Sequence, residues 1–320
     1  MNPYLSVALI VAGLCLLVAG AEALVRGAAS LAKKLGVPQL AIGLTIVAFG
    51  TSSPELAVNL FSAFRGNPDI AIGNIIGSNI ANILLILGIS SAISPLQIKG
   101  STVFKEIPFA LLAVCLVFTM GNDALFDGST FSAITRTEGF TLIGLFAVFI
   151  YYVFGLAKNK EVSPEEVRAY SYPVSLVLTI LGLALLVAGG KVLVDNAVML
   201  ARLTGLSESF IGLTVIAVGT SLPEMATSVV ASMHRHHDIA VGNIVGSNIF
   251  NVFFILGVTG TIINLPFNRL VNPDVIVSIL ATALLFALPI AGRRRTIERW
   301  HGVLFIALYA VYVLYLVQRG

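Results

Sequence analysis

The chain has 320 residues, of which 57% are hydrophobic and only 11% are charged, and its formal net charge is +3. A typical soluble domain carries about 25% charged residues. With a mean hydropathy of +0.97, a chain of this length lacks the polar surface needed to cover a soluble core. The composition therefore excludes soluble enzymes, nucleic-acid-binding proteins and disordered linkers. It predicts an integral membrane protein surrounded by a lipid bilayer.

Long uncharged stretches separate the charged residues along the whole chain. A helix needs about 20 apolar residues to cross the hydrocarbon of a bilayer. The short alternating segments of a membrane barrel are not found in the sequence, so the predicted fold class is all-α. We predict ten transmembrane helices, at residues 4–25, 39–64, 70–95, 104–121, 139–157, 172–194, 208–233, 239–264, 274–291 and 300–317.

An internal repeat organises these segments. Residues 43–90 align without a gap with residues 212–259, and about half of the aligned positions are identical. A weaker match pairs the first predicted span with the sixth. Each half then holds five spans, and because five is odd, equivalent segments cross the membrane in opposite directions, as in the inverted repeats of secondary transporters. The predicted units are 1–157 and 172–320, joined by a linker at 158–171.

The distribution of basic residues predicts the orientation. If the amino terminus is outside, most of the 19 Lys and Arg residues fall in the loops of the opposite side. Basic loops favour the cytoplasm, so both termini are predicted outside, and the linker at 158–171 is predicted in the cytoplasm. No basic residue precedes the first span, which is expected to belong to the fold rather than to a cleaved signal peptide.

A polar motif interrupts the second and seventh spans. GTSSPE at 50–55 and GTSLPE at 219–224 occupy equivalent positions in the repeat. Proline removes a backbone donor and disturbs the preceding turn, so both helices are predicted to be broken there. Broken backbone at membrane depth persists only where it is buried in protein or lines a wet cavity. Its carbonyl groups, together with hydroxyl and carboxylate oxygens, are hard ligands that suit sodium or calcium.

Glu55 and Glu224 dominate this region because each places an acid in the middle of an apolar span. An ionised residue there costs about 2.5–3.5 kcal/mol on insertion scales, and the core of neither span offers Lys or Arg as a partner. Two acids on opposed repeats would repel each other unless protons or bound cations neutralise them. Helical spacing also places hydroxyl groups near each acid, namely those of Thr51, Ser52, Thr220 and Ser221.

A second polar stripe follows on the third and eighth spans. Its residues recur every four positions and share one helix face; they are Asn74, Ser78 and Asn82, repeated as Asn243, Ser247 and Asn251. The predicted neutral cation ligands are Asn82, Asn251, Ser78 and Ser247. The residues predicted to form hydrogen bonds between helices are Asn74, Asn79, Asn243 and Asn248. The glycines predicted to let helices approach closely are Gly73, Gly77, Gly242 and Gly246.

These doubled motifs resemble those of the cation/calcium exchanger superfamily, most closely its prokaryotic sodium/calcium exchangers. The resemblance implies a protein of the prokaryotic plasma (inner) membrane, with a calcium site built by Glu55, Glu224 and the backbone oxygens of Thr51 and Thr220. It implies sodium sites that share both Glu residues and add Ala48, Ser52, Ser78, Ala217, Ser221 and Ser247. Potassium-dependent relatives carry Asp at one of the positions of Asn82 and Asn251, so these two neutral residues argue against potassium use.

The sequence predicts a secondary antiporter that exchanges sodium for calcium by alternating access, because both ions would compete for the same two carboxylates. Spans one and six lie outside the polar core and are expected to slide or tilt. A proton/calcium antiporter on the same fold and a passive cation channel stay open as alternatives. The sequence offers no pairing typical of a catalytic nucleophile or metal, so no enzyme is predicted. No cofactor is expected beside the transported ions, and a monomer suffices because one chain holds the whole polar core.

Three further features are expected to be structural. The run at 234–238, HRHHD, has no histidine counterpart in the first repeat and is predicted to be a solvated cytoplasmic loop. Glu22 and Lys191 occupy equivalent positions near the ends of spans one and six. Cys15 and Cys115 lie in apolar spans and are expected to be small buried residues.

Overall fold

A computed structural model describes residues 3–66, 68–158, 169–203, 217–291 and 295–319, without the side chains of residues 3, 4, 201–203, 217 and 291. The described chain is almost entirely helical, and its strands are two pairs of two-residue segments in loops. Most of the predicted linker at 158–171 and the first part of the predicted span at 208–233 lie outside the described residues.

The described residues of the first half of the chain form nine α-helices. They are α1 (Pro3–Leu35), α2 (Gln39–Ile42), α3 (Ala48–Thr51), α4 (Ser53–Phe64), α5 (Pro68–Ile80), α6 (Gly88–Ile93), α7 (Ile107–Met120), α8 (Asp123–Phe126) and α9 (Arg136–Lys158). Stretches of π-helix connect α2 to α3, connect α5 to α6 and lead into α7; they are Gly43–Val47, Ala81–Leu87 and Thr102–Glu106. The strands of this half are β1 (Leu96–Gln97) and β2 (Ala133–Ile134).

The described part of the second half follows the same order. Its α-helices are α10 (Tyr172–Leu203), α11 (Ala217–Thr220), α12 (Leu222–Met233), α13 (His237–Ile249), α14 (Gly257–Ile262), α15 (Asn272–Ala291) and α16 (Arg299–Arg319). A π-helical stretch, Phe250–Leu256, connects α13 to α14, and a 3-10 turn, Arg269–Val271, precedes α15. The strands are β3 (Leu265–Pro266) and β4 (Thr296–Ile297).

Eight helical segments of the described chain are long and apolar enough to cross a bilayer, and a ninth is added if the bent pair of the second span counts as one. The two parts of that pair, Gln39–Thr51 and Ser53–Phe64, meet at 45°, so the predicted break in the second span is present. The all-helical membrane architecture is thereby confirmed. The predicted span at 208–233 is described only from Ala217 onward.

Helices α1 and α10 pack against each other in opposite directions along most of their length. They contain 33 and 32 residues, so each is about 50 Å long and exceeds the ~30 Å of the hydrocarbon. A Cβ on Gly182 would lie 2.5 Å from the Leu24 backbone nitrogen, and one on Gly13 would lie 2.9 Å from the Gly189 oxygen. Glycines therefore let the two backbones touch, and α1 and α10 form one antiparallel unit.

The centre of the molecule consists of α5–α6 and α13–α14 with their π-helical stretches, which are mostly buried, whereas α9 and α16 are mostly exposed on the outside. Gly246 confirms the predicted close approach, since a Cβ there would lie 2.9 Å from Leu44 Cα. Gly242 makes a similar contact with the backbone of α2. A Cβ on Gly73 or Gly77 would meet no atom of the described chain within 4 Å.

Loops that were predicted to lie on the same side of the membrane contact each other. Strand β1 pairs with β4 through Leu96 and Ile297, and β2 pairs with β3 through Ile134 and Leu265. On the first of these sides, Lys99 Nζ lies 2.7 Å from an Asp238 carboxylate oxygen. These contacts fix which loops share a face, while the identity of the cytoplasmic face stays a prediction.

The structure changes two predictions, one about Cys15 and one about the run at 234–238. Cys15 is exposed on α1, so its predicted burial is wrong, because this position of α1 is not covered by protein. The run at 234–238 is not simply solvated. His234 Nε2 lies 2.8 Å from Glu22 Oε2 on α1, so this loop contacts a transmembrane helix.

Candidate functional site

Both repeats break their helix with the same turn. Ser52 separates α3 from α4 with φ −83° and ψ 9°, and Ser221 separates α11 from α12 with φ −87° and ψ 6°. In each case the proline of the motif stands in the first turn of the second helix, where its missing N–H costs no intrahelical hydrogen bond. The motif thus starts a new helix immediately before each glutamate.

Glu55 and Glu224 lie in these first turns, and each is only 1% exposed. The serine at each break hydrogen-bonds to the glutamate of the other repeat, so both carboxylates lie in one region of the protein. The unpaired N–H groups at a helix start favour negative charge, but this partial charge does not neutralise two acids. Within the part of the chain that the structure describes, neither carboxylate forms an ion pair with a basic residue.

The hydroxyl groups of the motif serve the opposite repeat. Ser52 Oγ donates to Glu224 Oε1 at 2.8 Å, and Ser221 Oγ donates to Glu55 Oε1 at 3.3 Å. The sequence spacing predicts instead that each serine shares a face with the glutamate three residues later. The helix ends at the serine, however, so that face does not continue, and the hydroxyl points across the repeat boundary. The crossed pairs join both breaks into one site.

Several buried oxygen atoms of this region have no hydrogen-bond partner among the described residues. They are Glu55 Oε2, Glu224 Oε2, Asn82 Oδ1, Asn251 Oδ1 and Ser78 Oγ. A buried polar atom without a partner is costly, and these five belong to residues predicted as cation ligands. Carboxylate, amide and hydroxyl oxygens are the donors that sodium and calcium prefer. The donor set therefore fits a hard cation.

Asn74 and Asn243 brace the broken helices, as the sequence predicts. Their side-chain amides donate to the main-chain carbonyl groups of the two site glutamates, at 3.4 and 3.3 Å. Their side-chain oxygens accept from hydroxyl groups of the opposite repeat: Thr51 Oγ1 reaches Asn243 at 3.0 Å, and Thr220 Oγ1 reaches Asn74 at 3.5 Å. Each threonine hydroxyl thus has a structural partner.

Four asparagines form a symmetric network at the centre. Asn82 Nδ2 donates to Asn248 Oδ1, and Asn251 Nδ2 donates to Asn79 Oδ1, both at 2.9 Å. Asn79 and Asn248 also donate to each other's main-chain carbonyl at 3.3 Å, which confirms their predicted role between helices. The network fixes the amides of Asn82 and Asn251 and leaves their oxygens unpartnered.

The remaining predicted ligands lie in the same region. Ser247 Oγ donates to Glu224 Oε1 at 3.4 Å, and Ser78 is buried on α5 between the two Asn positions of its stripe. Ala48 is buried, and its carbonyl accepts from Thr51 Oγ1 at 3.3 Å. Ala217 begins α11, and its side chain lies outside the described residues. The ligand role of each of these residues stays a prediction.

The central amides lie on π-helical stretches that were not predicted from the sequence. Asn82 and Asn251 are each the second residue of such a stretch, Ala81–Leu87 and Phe250–Leu256. A π-helical turn is wider than an α-helical one and recurs at functional sites. Nothing in the four-residue spacing of the stripe signals this change, because Asn74 and Ser78 lie on the preceding α-helix.

Helices α4 and α12 are the equivalent second parts of the two broken spans, and neighbouring helices cover them to different extents. Helix α12 packs along α1, and its Thr227 is fully buried. Within the described chain, α4 makes hardly any contact with α10, and Val58, the equivalent of Thr227, is only half-buried. The site is therefore closed along α12 and less covered along α4.

Comparisons with known proteins show which proteins this chain is similar to. The profile of a family described as "Sodium/calcium exchanger protein" matches residues 5–155 and 174–318, which are nearly the two predicted repeat units. The sodium/calcium exchanger MaX1 of Methanosarcina acetivorans is 30% identical over 321 residues, covering 89% of this chain and 91% of its own. The putative antiporter CaxA of Alkalimonas amylolytica is 36% identical over 294 residues, covering 88% and 89%.

Solved structures show the same fold. A structure of the sodium-calcium exchanger NCX_Mj soaked with 100 mM Na+ and 10 mM Sr2+ matches with a TM-score of 0.84 and 32% sequence identity, over 98% of this chain and 99% of that one. A structure of the same exchanger soaked without Na+ and Ca2+ matches with a TM-score of 0.83. The likeness thus extends over the whole chain.

Proposed function

Because the chain belongs to the sodium/calcium exchanger family, we propose that it exchanges sodium for calcium through the site of Glu55 and Glu224. One observation carries this proposal: both buried carboxylates keep one oxygen without a protein partner, and no described basic residue neutralises them. A divalent cation supplies the missing charge in one step, and its preferred ligands are oxygen atoms of this kind. Calcium is thus a substrate held in the dehydrated centre of the protein.

Exchange, rather than transport in one direction, follows from the shared ligands. When calcium neutralises the two carboxylates, no negative charge is left to attract sodium ions. When sodium ions are bound at the same carboxylates, the negative charge that calcium requires is gone. Since each ion uses Glu55 and Glu224, the two ions exclude each other. The chain then carries calcium one way and sodium the other. The neutral Asn82 and Asn251 add oxygens but no charge, which is the basis for proposing no potassium requirement.

Alternating access requires that the site open to one side at a time. The unit of α1 and α10 covers α12 and leaves α4 less covered, which supports a mechanism in which this unit slides across the site. In the alternate state it would cover α4 and uncover α12. We propose that the protein in which this movement takes place consists of two inverted repeats of five spans, 1–157 and 172–320. The second and seventh helices of this arrangement are the broken ones.

The proposed setting is a prokaryotic plasma (inner) membrane with both termini outside. In that orientation the side of α4 faces outward, and the side of α12 faces the cytoplasm. All site residues come from one chain, so we propose that a monomer transports without a second copy. The protein acts as a carrier rather than an enzyme, and it uses no cofactor beyond the ions that it moves.

The direct test is uptake of radioactive calcium into proteoliposomes loaded with sodium and diluted into sodium-free buffer. Potassium-loaded vesicles are the reference. Uptake that requires the sodium gradient supports sodium/calcium exchange. Equal uptake with both cations contradicts it, and uptake driven by a pH gradient without sodium would point to proton coupling. Single-channel currents would point to a channel.

The Glu55→Gln and Glu224→Gln variants assign the activity to the site. Each removes one negative charge with almost no change in shape, so sodium-driven uptake is expected to fall to the background of empty vesicles. Glu106→Gln is the matched control, because Glu106 is also a fully buried acid but contacts Tyr152 rather than the site. Uptake that survives in either site variant would rule out the proposed binding role.

A further inference from the structure

Charged residues at equivalent positions on α1 and α10 have opposite signs. The inverted repeat aligns Glu22 with Lys191 and Arg26 with Asp195. On α1, Glu22 forms an ion pair with Arg26 one turn later. On α10, Lys191 Nζ lies 2.9 Å from Asp195 Oδ2. The two helices thus carry the same local ion pair with its charges reversed.

On the closed side, the charge of α1 meets an attractive partner. His234 ends α12, and its Nε2 lies 2.8 Å from Glu22 Oε2. This contact joins the α1–α10 unit to a helix of the site. The contact is a hydrogen bond between an imidazole nitrogen and a carboxylate oxygen. It holds α1 over α12.

On the less covered side, the equivalent position carries a basic residue. The repeat aligns His234 with Arg65, which ends α4. The turns that follow are also equivalent, because Gly66 and Arg235 both adopt positive φ, at 75° and 61°. Arg65 therefore occupies the place on α4 that His234 occupies on α12. If α10 covered α4 as α1 covers α12, Lys191 would approach Arg65, and two positive charges would face each other.

The Glu22–His234 contact and the expected approach of Lys191 to Arg65 are coupled, because α1 and α10 shift as one unit. Glycine positions bring the backbones of these helices within van der Waals contact, so one helix cannot shift without the other. A slide that separates Glu22 from His234 would therefore bring Lys191 towards Arg65. The slide loses an attraction on one side and gains a repulsion on the other, and both effects oppose it.

We propose that Glu22, His234, Lys191 and Arg65 form an electrostatic bias that holds the exchanger with the α12 side closed and the α4 side open. This proposal rests on the alternating-access movement proposed above, and it adds an uneven resting equilibrium between the two states. Exposed ion pairs are weak, about 0.2–1 kcal/mol. The expected effect of removing the bias is therefore about a two- to fivefold change in the ratio of the states.

Among the residues that the structure describes, few other charged groups lie near His234. Helix α1 contributes Glu22 and Arg26, the loop contributes Arg235 and His236, and α13 contributes Asp238, which pairs with Lys99. The negative group in direct contact with the imidazole is Glu22. Substitution at Glu22 removes this contact together with the ion pair to Arg26.

The test measures which side of the site is open. Two reporter cysteines, Val58→Cys and Thr227→Cys, are introduced one at a time into a chain carrying Cys15→Ala and Cys115→Ala. These equivalent positions lie one turn beyond Glu55 and Glu224. The protein is placed in nanodiscs, where both faces meet solvent, and the rate of reaction with a charged thiol reagent is recorded. Without further changes, the Val58→Cys reporter is expected to react faster than the Thr227→Cys reporter.

Lys191→Glu places an acid opposite Arg65 and is expected to raise the reactivity of the Thr227→Cys reporter about two- to fivefold, with a corresponding loss at the Val58→Cys reporter. Lys191→Glu combined with Arg65→Glu restores repulsion, now between two acids, and is expected to restore the original ratio. Glu22→Gln is expected to act in the same direction as Lys191→Glu. Arg136→Glu, an exposed residue of the same face at the start of α9, makes the same change of charge and is expected to have no effect.

The outcomes separate this proposal from the proposed function. If sodium-driven calcium uptake is intact but Lys191→Glu leaves both reporter rates unchanged, the bias is refuted while exchange stands. The bias is also refuted if the double charge reversal shifts the ratio further instead of restoring it. If the unsubstituted chain shows no sodium-driven uptake, the proposed function itself fails.

Discussion

The hydroxyl group of Ser52 donates a 2.8 Å hydrogen bond to Oε1 of Glu224, 172 positions away in the chain. The bond crosses from the first repeat to the second, and Ser221 returns the same contact to Glu55 at 3.3 Å. Each carboxylate therefore receives a hydroxyl partner from the opposite broken helix. In the proposed function, calcium binding and the contact between the two repeats therefore depend on the same side chains.

Removal of the crossed hydroxyl is expected to weaken calcium binding. A hydrogen bond to a charged group contributes about 1.5–3 kcal/mol, so Ser52→Ala is expected to raise the KM for calcium about tenfold or more. The measurement is uptake as a function of calcium concentration. Ser53→Ala is a matched control, since this neighbouring hydroxyl donates to the Phe49 carbonyl on the exposed side. An unchanged KM for Ser52→Ala would show that the crossed bond is not needed for binding.

A third charge at the centre is expected to change ion preference. Asn82 donates to Asn248 Oδ1 and keeps its own oxygen unpartnered. Asn82→Asp replaces the donor by an acceptor, so an ionised acid would face another oxygen and raise the local negative charge. Uptake should then depend more steeply on pH, and sodium and calcium should compete with altered relative affinities. Competition curves identical to those of the unsubstituted chain would exclude Asn82 as a ligand.

The glycine contact between α1 and α10 is expected to be sensitive to a single methyl group. A Cβ on Gly182 would lie 2.5 Å from the Leu24 backbone nitrogen and 2.8 Å from the Gly20 oxygen. Backbone atoms cannot move aside cheaply, so Gly182→Ala is expected to destabilise the protein by about 1–3 kcal/mol. A lower midpoint in thermal unfolding of the detergent-solubilised protein measures this loss.

Gly144→Ala is the control for this substitution. Gly144 also lies in a long membrane helix, α9, but a Cβ there meets no described atom within 4 Å. Alanine is the better helix former by about 1 kcal/mol, so the midpoint is expected to stay or rise. A drop as large as that of Gly182→Ala would mean that the close contact is not the cause.

The candidate site could be predicted from the sequence because its residue types are repeated. Two acids without basic partners in apolar spans, doubled with hydroxyl and amide groups at constant spacing, predict cation ligands, and the structure brings these residues into one region. The breaks could also be predicted, since proline and glycine change the backbone locally. The roles of Asn79 and Asn248 followed from the same spacing and agree with their contacts between helices.

Packing between distant parts of the chain determined the features that the sequence pattern did not predict. Sequence spacing assigned Ser52 to Glu55, whereas the broken backbone directs its hydroxyl to Glu224. The glycines of α1 and α10 lie seven positions apart in an apolar background, and only the contact of the two backbones reveals their role.

The sequence by itself determined that this chain lies in a membrane, that it repeats, and which oxygen atoms are predicted to bind cations, because composition, periodicity and residue type are local properties. The tertiary structure alone decided which repeat supplies each hydrogen bond, and that α1 contacts the end of α12 through Glu22 and His234. Such choices depend on distances between residues that are far apart in the chain, and a linear pattern does not contain those distances.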